Sequence, residues 1–424
     1  MKTDIFLKKT EHTNFDKLTE KEKSFIEDKT KIYNLSHQDI KQLIDISIDL
    51  TMWDEKSIQD IWDDSVATNK EGKKRKTAIL EHIKKHYISL KNQPNNYQNF
   101  NQEKVKAPKI KLQNQEKKNL GFGLCPVASP KTRCCNLLTL DAVESCGFDC
   151  SYCSIQSFYN GGKITFDTKL KEKLDNIELN SDEFYHIGTG QSSDSLMWGN
   201  KFGVLDNLVE FARKYPNVML EFKTKSDNIS YFLQEENLPK NLLFTWSINP
   251  QIIIDFEENL TASLDKRLEA AKLLHDKGHL VGFHLHPMIH IENWEKEYGE
   301  VFEKLLTMFD AKQVALVSLG TLTFIKPVLK QIRQREFKTK ILQLPLVEAS
   351  GKFSYPLETK KEMFKFAYDS LKPWHKEVYF YMCMEEHSLW KDVFGFEYPT
   401  NESFEMDMKL NYMGKINKLR YNYS

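Results

Sequence analysis

The stretch "CGFDCSYCSIQSFY", Cys146 to Tyr159, places three thiols close together in a chain of 424 residues with only seven cysteines. Thiolates are soft ligands that suit zinc or iron–sulfur clusters. A closed structural zinc site takes four protein ligands and commonly pairs two short cysteine motifs. Here the spacing is C-x3-C-x2-C, and the chain holds no second C-x2-C. Three thiolates can bind three irons of a [4Fe-4S] cube and leave the fourth iron open to amino and carboxylate groups. A zinc knuckle completed by a distant ligand such as Cys134 is the competing reading.

Around this motif the sequence alternates between short apolar runs and helical patterns. "NLLTLDAVES" (Asn136 to Ser145) leads directly into the cysteines. "EFYHIGTG" (Glu183 to Gly190), "VMLEFKTKS" (Val218 to Ser226), "LLFTWSINP" (Leu242 to Pro250), "HLVGFHLHPM" (His279 to Met288) and "VALVSLGTL" (Val314 to Leu322) complete six strand-like runs. Helical stretches at Val204 to Lys214, Ser263 to Lys277 and Trp294 to Phe309 lie between them. Repeated strand–helix alternation implies a parallel sheet with helical crossovers. Six units are too few to close an eight-stranded barrel, so the expected α/β fold is an open, partial (β/α)6 barrel. Chemistry in such folds gathers at the C-terminal strand ends, which is where the cysteines fall.

The N-terminal part reads as helical. Ile40, Leu43, Ile44 and Ile48 share one helix face, as do Ile79, Leu80, Ile83, Tyr87 and Leu90, and Asp54 to Asp64 carries Ile58, Ile61 and Trp62 on one side. "NQPNNYQNFNQEKVKAPK" (Asn92 to Lys109) is polar and broken by two prolines, as a linker is. The expected boundaries are residues 1–92 for a helical region, 93–110 for the linker, 111–345 for the barrel and 346–424 for a C-terminal α/β extension.

Formal net charge is zero, with an uneven distribution: residues 1–65 hold 10 Lys+Arg against 15 Asp+Glu, and residues 66–120 hold 14 against 4. The second stretch, with "KEGKKRK" (Lys70 to Lys76), can attract phosphate backbones; a solvated helix and charged linker is the commoner reading of such a run. No run reaches the length of a membrane helix. "MKTDIFLKKTEHTNFDK" lacks an apolar secretion core, so a cytoplasmic protein with no membrane partner is expected. Clustered cysteines suit a metal site and not a disulfide scaffold.

C-x3-C-x2-C after the first strand, with the aromatic Tyr152 before the last cysteine, resembles the radical S-adenosylmethionine (radical SAM) superfamily. That resemblance implies a [4Fe-4S] cluster on Cys146, Cys150 and Cys153 whose open iron chelates SAM. It further implies a 5′-deoxyadenosyl radical that abstracts hydrogen, and an electron donor such as flavodoxin or ferredoxin. A narrower resemblance, over roughly residues 135 to 400, is to the spore photoproduct lyases. Ser247-Ile248-Asn249, Phe256-Glu257, Leu264-Asp265-Lys266-Arg267, Gly282-Phe283, Pro287 and Trp294 carry it. "SLGTLT" (Ser318 to Thr323) and "YMCMEEHSLWKDVFG" (Tyr381 to Gly395) extend it. It implies that Ser193, Lys225 and Ser247 hold SAM with Tyr152 near the adenine, and that DNA or another nucleic acid is a partner. The implied reaction is cleavage of a carbon–carbon bond in a thymine photoproduct.

Two positions depart from that family. The lyases return the final hydrogen from a cysteine two residues before the SAM-binding serine, where Gln191 stands here. They carry a tyrosine directly after the third cluster cysteine, where Ser154 stands here. Both changes also allow a radical SAM enzyme with a non-nucleic-acid substrate. Cys125, Cys134, Cys135 and Cys383 are candidate hydrogen donors, an auxiliary metal site, or small buried hydrophobes. His284 and His286 alternate along the fifth strand and share one face, with His290 a little beyond. They are candidates for the substrate pocket or for hydrogen-bonded interior histidines. The tail "GKINKLRYNYS" (Gly414 to Ser424) reads as frayed.

Overall fold

The computed structural model describes residues 6, 8–103, 105, 109–125, 131–154, 162–349 and 352–421. Ile155 to Tyr159 of the opening motif, Pro126 to Pro130 beside Cys125, and the last three residues lie outside that set. The chain divides into two compact units: Met1–Val105 with His290–Glu292 and Phe324–Ser354, and Lys106–Ile289 with Asn293–Thr323 and Tyr355–Ser424.

The first unit is built on helices α1 (Glu20–Tyr33), α2 (His37–Met52) and α3 (Gly72–Lys91). Ser36 and Asp39 cap α2 reciprocally, satisfying amides that have no intrahelical partner. Its stripe of Ile40, Leu43, Ile44 and Ile48 is buried. So is Asp49, which takes two 2.7 Å bonds from Arg333 and one of 2.6 Å from the Tyr87 hydroxyl. Between Asp54 and Asp64 only Ile58–Ile61 is α-helical. The Asp63 side chain accepts from Ser65 N at 2.8 Å and caps a separate 3-10 turn, a local bond that competes with helix continuation. The basic run opens α3. Lys76 pairs with Asp39 at 2.8 Å and Arg75 lies over the Tyr33 ring, while Lys70, Lys73 and Lys74 are exposed. In the polar stretch that follows α3, Asn95, Tyr97 and Phe100 are buried.

The second unit carries one eight-stranded curled sheet. Its strands are β1 (Phe122–Leu124), β2 (Leu138–Leu140), β3 (Tyr185–Thr189), β4 (Val218–Thr224), β5 (Leu242–Ser247), β6 (Leu280–Met288), β7 (Val314–Thr321) and β8 (Tyr379–Met382). Spatial order follows chain order throughout. Strands β2 to β8 are parallel and β1 closes the edge antiparallel. All six expected strands are present, and β8 continues the sheet beyond them. Helices α4 (Val204–Lys214), α5 (Leu264–Asp276), α6 (Trp294–Met308) and α7 (Leu357–Ser370) cross between strands.

Because helices cover the outside, the strands are buried on both faces. One face of β4 and β5 sends Phe222 and Phe244 outward against Phe232. The opposite face of the barrel strands carries polar groups into the interior, namely His186, Glu221, Lys223, Thr245, Ser247, His284, His286 and Ser318. The tail departs from the frayed reading. Helix α8 (Asn401–Tyr421) buries Phe404, Met408, Tyr412 and Ile416, one residue per helical turn. Tyr412 packs edge-on against His186 and Tyr379, at the N-terminal ends of β3 and β8.

Candidate active site

The cysteine segment leaves the sheet after β2 and is held by a short antiparallel ladder. Cys150 pairs with Glu258 and Asp149 with Asn259. Ser151 N donates to Glu257 O at 2.9 Å, and the Ser151 hydroxyl donates to the Glu257 carboxylate. The Phe148 amide faces the Cys146 sulfur at 3.4 Å. Burial pushes the Cys146 thiol up to about 12 and the Cys150 thiol well above its ordinary value. A metal that takes these sulfurs as thiolates must therefore displace their protons.

Below the loop lies a buried charged group that sequence reading missed. The Tyr152 hydroxyl donates to Glu258, which also accepts from Asn249 Nδ2 at 2.8 Å. Arg267 stands 2.6 Å from the other Glu258 oxygen, an ion pair more than an aligned hydrogen bond, and donates to Ser247 O at 2.8 Å. Burial alone would raise the Glu258 carboxyl. The Arg267 guanidinium and the Lys225 ammonium outweigh it and bring the carboxyl down to about 2. One network thus reaches both Tyr152 and Ser247.

The end of β3 turns at Gly190, whose φ is +79°. A Cβ there would lie 3.0 Å from Ser195 N and 3.2 Å from Lys223 O, so a side chain is excluded both by conformation and by space. The turn presents Gln191 and Ser193. Asp194 is buried and ties the turn to the next strand end. It accepts from Thr224 Oγ1 at 2.7 Å, Lys225 N at 2.7 Å and Met197 N at 2.9 Å. Lys225 Nζ then sits 5.7 Å from the centre of the Tyr152 ring.

These segments enclose a cavity of about 230 Å³ at the C-terminal ends of the strands. Its walls include Cys146, Cys150, Cys153, Tyr152, Ser193, Lys225 and Ser247, and also Gln191, Ser154 and His286. Ser193 Oγ is buried with no hydrogen-bond partner among the described residues. Lys223, one pleat repeat below Lys225, lines the same wall and had no signal in the sequence beyond its alternation with Lys225. Among the described residues, no three His, Cys, Asp or Glu side chains gather tightly enough for a single ion.

His284 sits deeper, inside a closed network. Its Nε2 meets Glu221 Oε1 at 2.7 Å and its Nδ1 meets Ser318 Oγ at 2.5 Å. His186 Nε2 contributes a 2.8 Å bond to Glu221, and Thr245 Oγ1 one of 2.6 Å. Burial would raise the Glu221 carboxyl, but the hydrogen bonds from His186 and His284 carry it well below the usual range. Burial likewise brings His284 down to about 4. With Nε2–H donating to the carboxylate, Nδ1 accepts from the Ser318 hydroxyl. His290 belongs to the other compact unit.

The remaining cysteines are not among the cavity's lining residues. Cys125 is met by Gln191 Nε2 at 3.9 Å. The Cys134 and Cys135 thiols hydrogen-bond one another, which lowers Cys134 to about 6. Burial pushes Cys383 up to about 12.

The family model for spore photoproduct lyase matches residues 139–368, more than half of the chain. The chain belongs to the spore photoproduct lyase family. It is 28% identical over 223 residues to the spore photoproduct lyase of Geobacillus sp. (strain Y412MC61), covering 50% of this chain and 62% of that protein. It is 29% identical over 173 residues to that of Clostridium acetobutylicum, covering 39% and 50%. The chain thus spans about three fifths or less of the length of these relatives. Among solved structures, a spore photoproduct lyase complexed with dinucleoside spore photoproduct matches with a TM-score of 0.55 at 21% identity, covering 64% of this chain and 82% of that one. A double mutant of spore photoproduct lyase with bound AdoMet and the same dinucleoside matches with a TM-score of 0.54 at 22% identity, again covering 64% and 82%. The shared fold is the half-barrel. Two stretches of the sequence resemblance, "FEEN" (Phe256 to Asn259) and "MEEH" (Met384 to His387), have structural roles. The first holds the cysteine loop. In the second, Glu385 accepts from Thr321 N and Oγ1 at 2.8 Å each and pairs with Lys360 at 2.7 Å.

Proposed function

We propose that this chain is a radical SAM iron–sulfur enzyme of the lyase type. In this reading Cys146, Cys150 and Cys153 hold a [4Fe-4S] cluster, Ser193, Lys225 and Ser247 hold SAM with Tyr152 near its adenine, and the substrate is a thymine photoproduct in DNA. The observation that carries the reading is convergence. Side chains from the cysteine loop and from the ends of β3, β4 and β5 line one cavity at the edge of the sheet where such folds do chemistry.

The donors fit the groups. Three thiols line one cavity, the donor type a cubane cluster takes. An amide already faces one sulfur, a contact that tunes such clusters. The orphan Ser193 hydroxyl and the Lys225 ammonium match the amino and carboxylate ends of an amino acid. When bound, the cluster and SAM supply one-electron cleavage of a sulfonium C–S bond and a hydrogen-abstracting radical. The chain's own contribution is placement. Asp194 fixes the Lys225 backbone, Glu258 fixes the Tyr152 hydroxyl and Arg267 fixes the Ser247 carbonyl. An electron donor such as flavodoxin or ferredoxin and a reducing, cytoplasmic setting suit seven free cysteines.

Solved relatives are described with dinucleoside spore photoproduct bound, which makes a DNA photoproduct the first substrate to try. A second reading, a non-nucleic-acid substrate, is favoured by Gln191 and Ser154 at the two relay positions and by His286 in the wall. The deciding experiment gives SAM and DNA containing the spore lesion to anaerobically reconstituted, reduced protein. Repaired thymine together with 5′-deoxyadenosine supports the first reading. Deoxyadenosine at the same rate with or without DNA supports the second. No deoxyadenosine under any condition defeats both.

A further inference from the structure

The inward face of β4 steps from Glu221 to Lys223, and Lys225 follows just past the strand end. Glu221 is saturated by His186, His284 and Thr245. Lys223 is not. It lines the cavity, and among the described residues no acceptor bonds its ammonium. The groups around it are the Cys383 and Cys125 thiols, Glu221, and the Lys225 ammonium. Burial keeps the Cys383 thiol protonated at neutral pH, so it supplies no counter-charge. Partial burial also lowers the Lys223 pKa, the ordinary direction for an ammonium with reduced access to water.

His286 stands on the same wall. Its ring packs on Gly320, where a Cβ would come within 2.9 Å of two ring carbons. Burial holds its pKa well below the usual value, so it is a neutral imidazole with a donor and an acceptor to offer. A half-buried cation beside a half-buried hydrogen-bonding ring, both lining the cavity, offers an anion a pair of partners.

We propose that Lys223 and His286 form a substrate subsite for an oxyanion, a carboxylate or phosphate carried by the substrate. This rests on the proposed function, in which Lys225 is taken by the SAM carboxylate and leaves Lys223 for the second ligand.

The test is protection of Lys223 from reductive methylation. The full chain, cluster-reconstituted and held with S-adenosylhomocysteine, is treated with formaldehyde and an amine borane under nitrogen. Lys223 and the exposed Lys73 are followed by peptide mass spectrometry. Sodium phosphate, sodium acetate and thymidine are compared with sodium chloride at equal ionic strength. The expected result is slowing of Lys223 modification by about tenfold when phosphate or acetate is at about ten times its Kd, with Lys73 unchanged. Protection by phosphate alone assigns a phosphate substrate, and protection by acetate assigns a carboxylate. Equal protection by chloride, protection by neutral thymidine but by neither oxyanion, or an unmodified Lys223 in every sample overturns the subsite. Deoxyadenosine formation is scored separately, so its absence with Lys223 still protected defeats the proposed function and not the subsite.

Discussion

Glu221 and Lys223 stand one pleat repeat apart on the same face of β4, and their surroundings are opposite. The lower residue is closed in by two histidines and a threonine, each bond between 2.6 and 2.8 Å. The upper residue faces a cavity. Strand β6 repeats the contrast: His284 bonds Glu221 and Ser318, while His286 lines the wall. Polar groups in one barrel interior therefore do two jobs. The lower level, in which His186 Nδ1 is left without a partner among the described residues, replaces an apolar core with a largely satisfied network that specifies strand packing. Above it, Lys223 and His286 line a cavity without such partners among the described residues. Polarity alone does not distinguish them; the partner count does.

The contrast can be broken experimentally. The largest effect belongs to the upper level. Cys150→Ala should abolish 5′-deoxyadenosine formation and lower bound iron and sulfide after reconstitution, with circular dichroism unchanged because the Cys150–Glu258 pairing is made by the backbone. A variant that still makes deoxyadenosine removes Cys150 from the cluster. Next, Glu221→Ala should cost about 3–5 kcal/mol in urea unfolding, because it strands two buried histidines and a threonine. Unchanged stability with lost activity would mean that the lower level is not scaffold.

Lys225→Ala should weaken SAM binding to the reconstituted protein by about ten- to a hundredfold, the worth of a charge-assisted bond of about 1.5–3 kcal/mol. Its unfolding midpoint should fall only slightly, since its side chain makes no hydrogen bond among the described residues and its stabilising role is the ammonium's attraction for Glu258 beside Arg267. The smallest effect is pH dependence of the lower level. His284 titrates near 6.5 when unfolded and about 4 when folded. Its contribution is present above pH 6.5 and is lost as the pH falls through 4. Glu221, also depressed, acts in the same direction. Stability should fall by about 2 kcal/mol between pH 7 and pH 5. His284→Gln should flatten that slope; a slope that survives the substitution moves its origin elsewhere.

Much of this was legible before any coordinates. Strand runs and helix stripes are properties of consecutive residues, since side chains alternate every two residues in a strand and recur every 3.6 in a helix. That local periodicity marked β2 to β7 and the buried face of α2. It was equally present in α8, at Phe404, Met408, Tyr412 and Ile416, of which only Ile416 falls in the stretch Gly414 to Ser424 that read as a tail. Cysteine spacing likewise carries its own chemistry, because three soft donors within eight residues must face one site. What the chain order could not reveal is which polar residues meet. His284 reaches Glu221 across 63 positions, and Tyr152 reaches Glu258 across 106. Asp194 reads as one more loop carboxylate until its bonds to Thr224 and Lys225 are seen. Lys223 and Lys225 look alike in "EFKTK", as do the two histidines of "FHLHP". Only the closed sheet, which places one histidine beside a carboxylate and the other beside a cavity, separates them. Burial and partners are set by residues distant in sequence, and no local pattern encodes them.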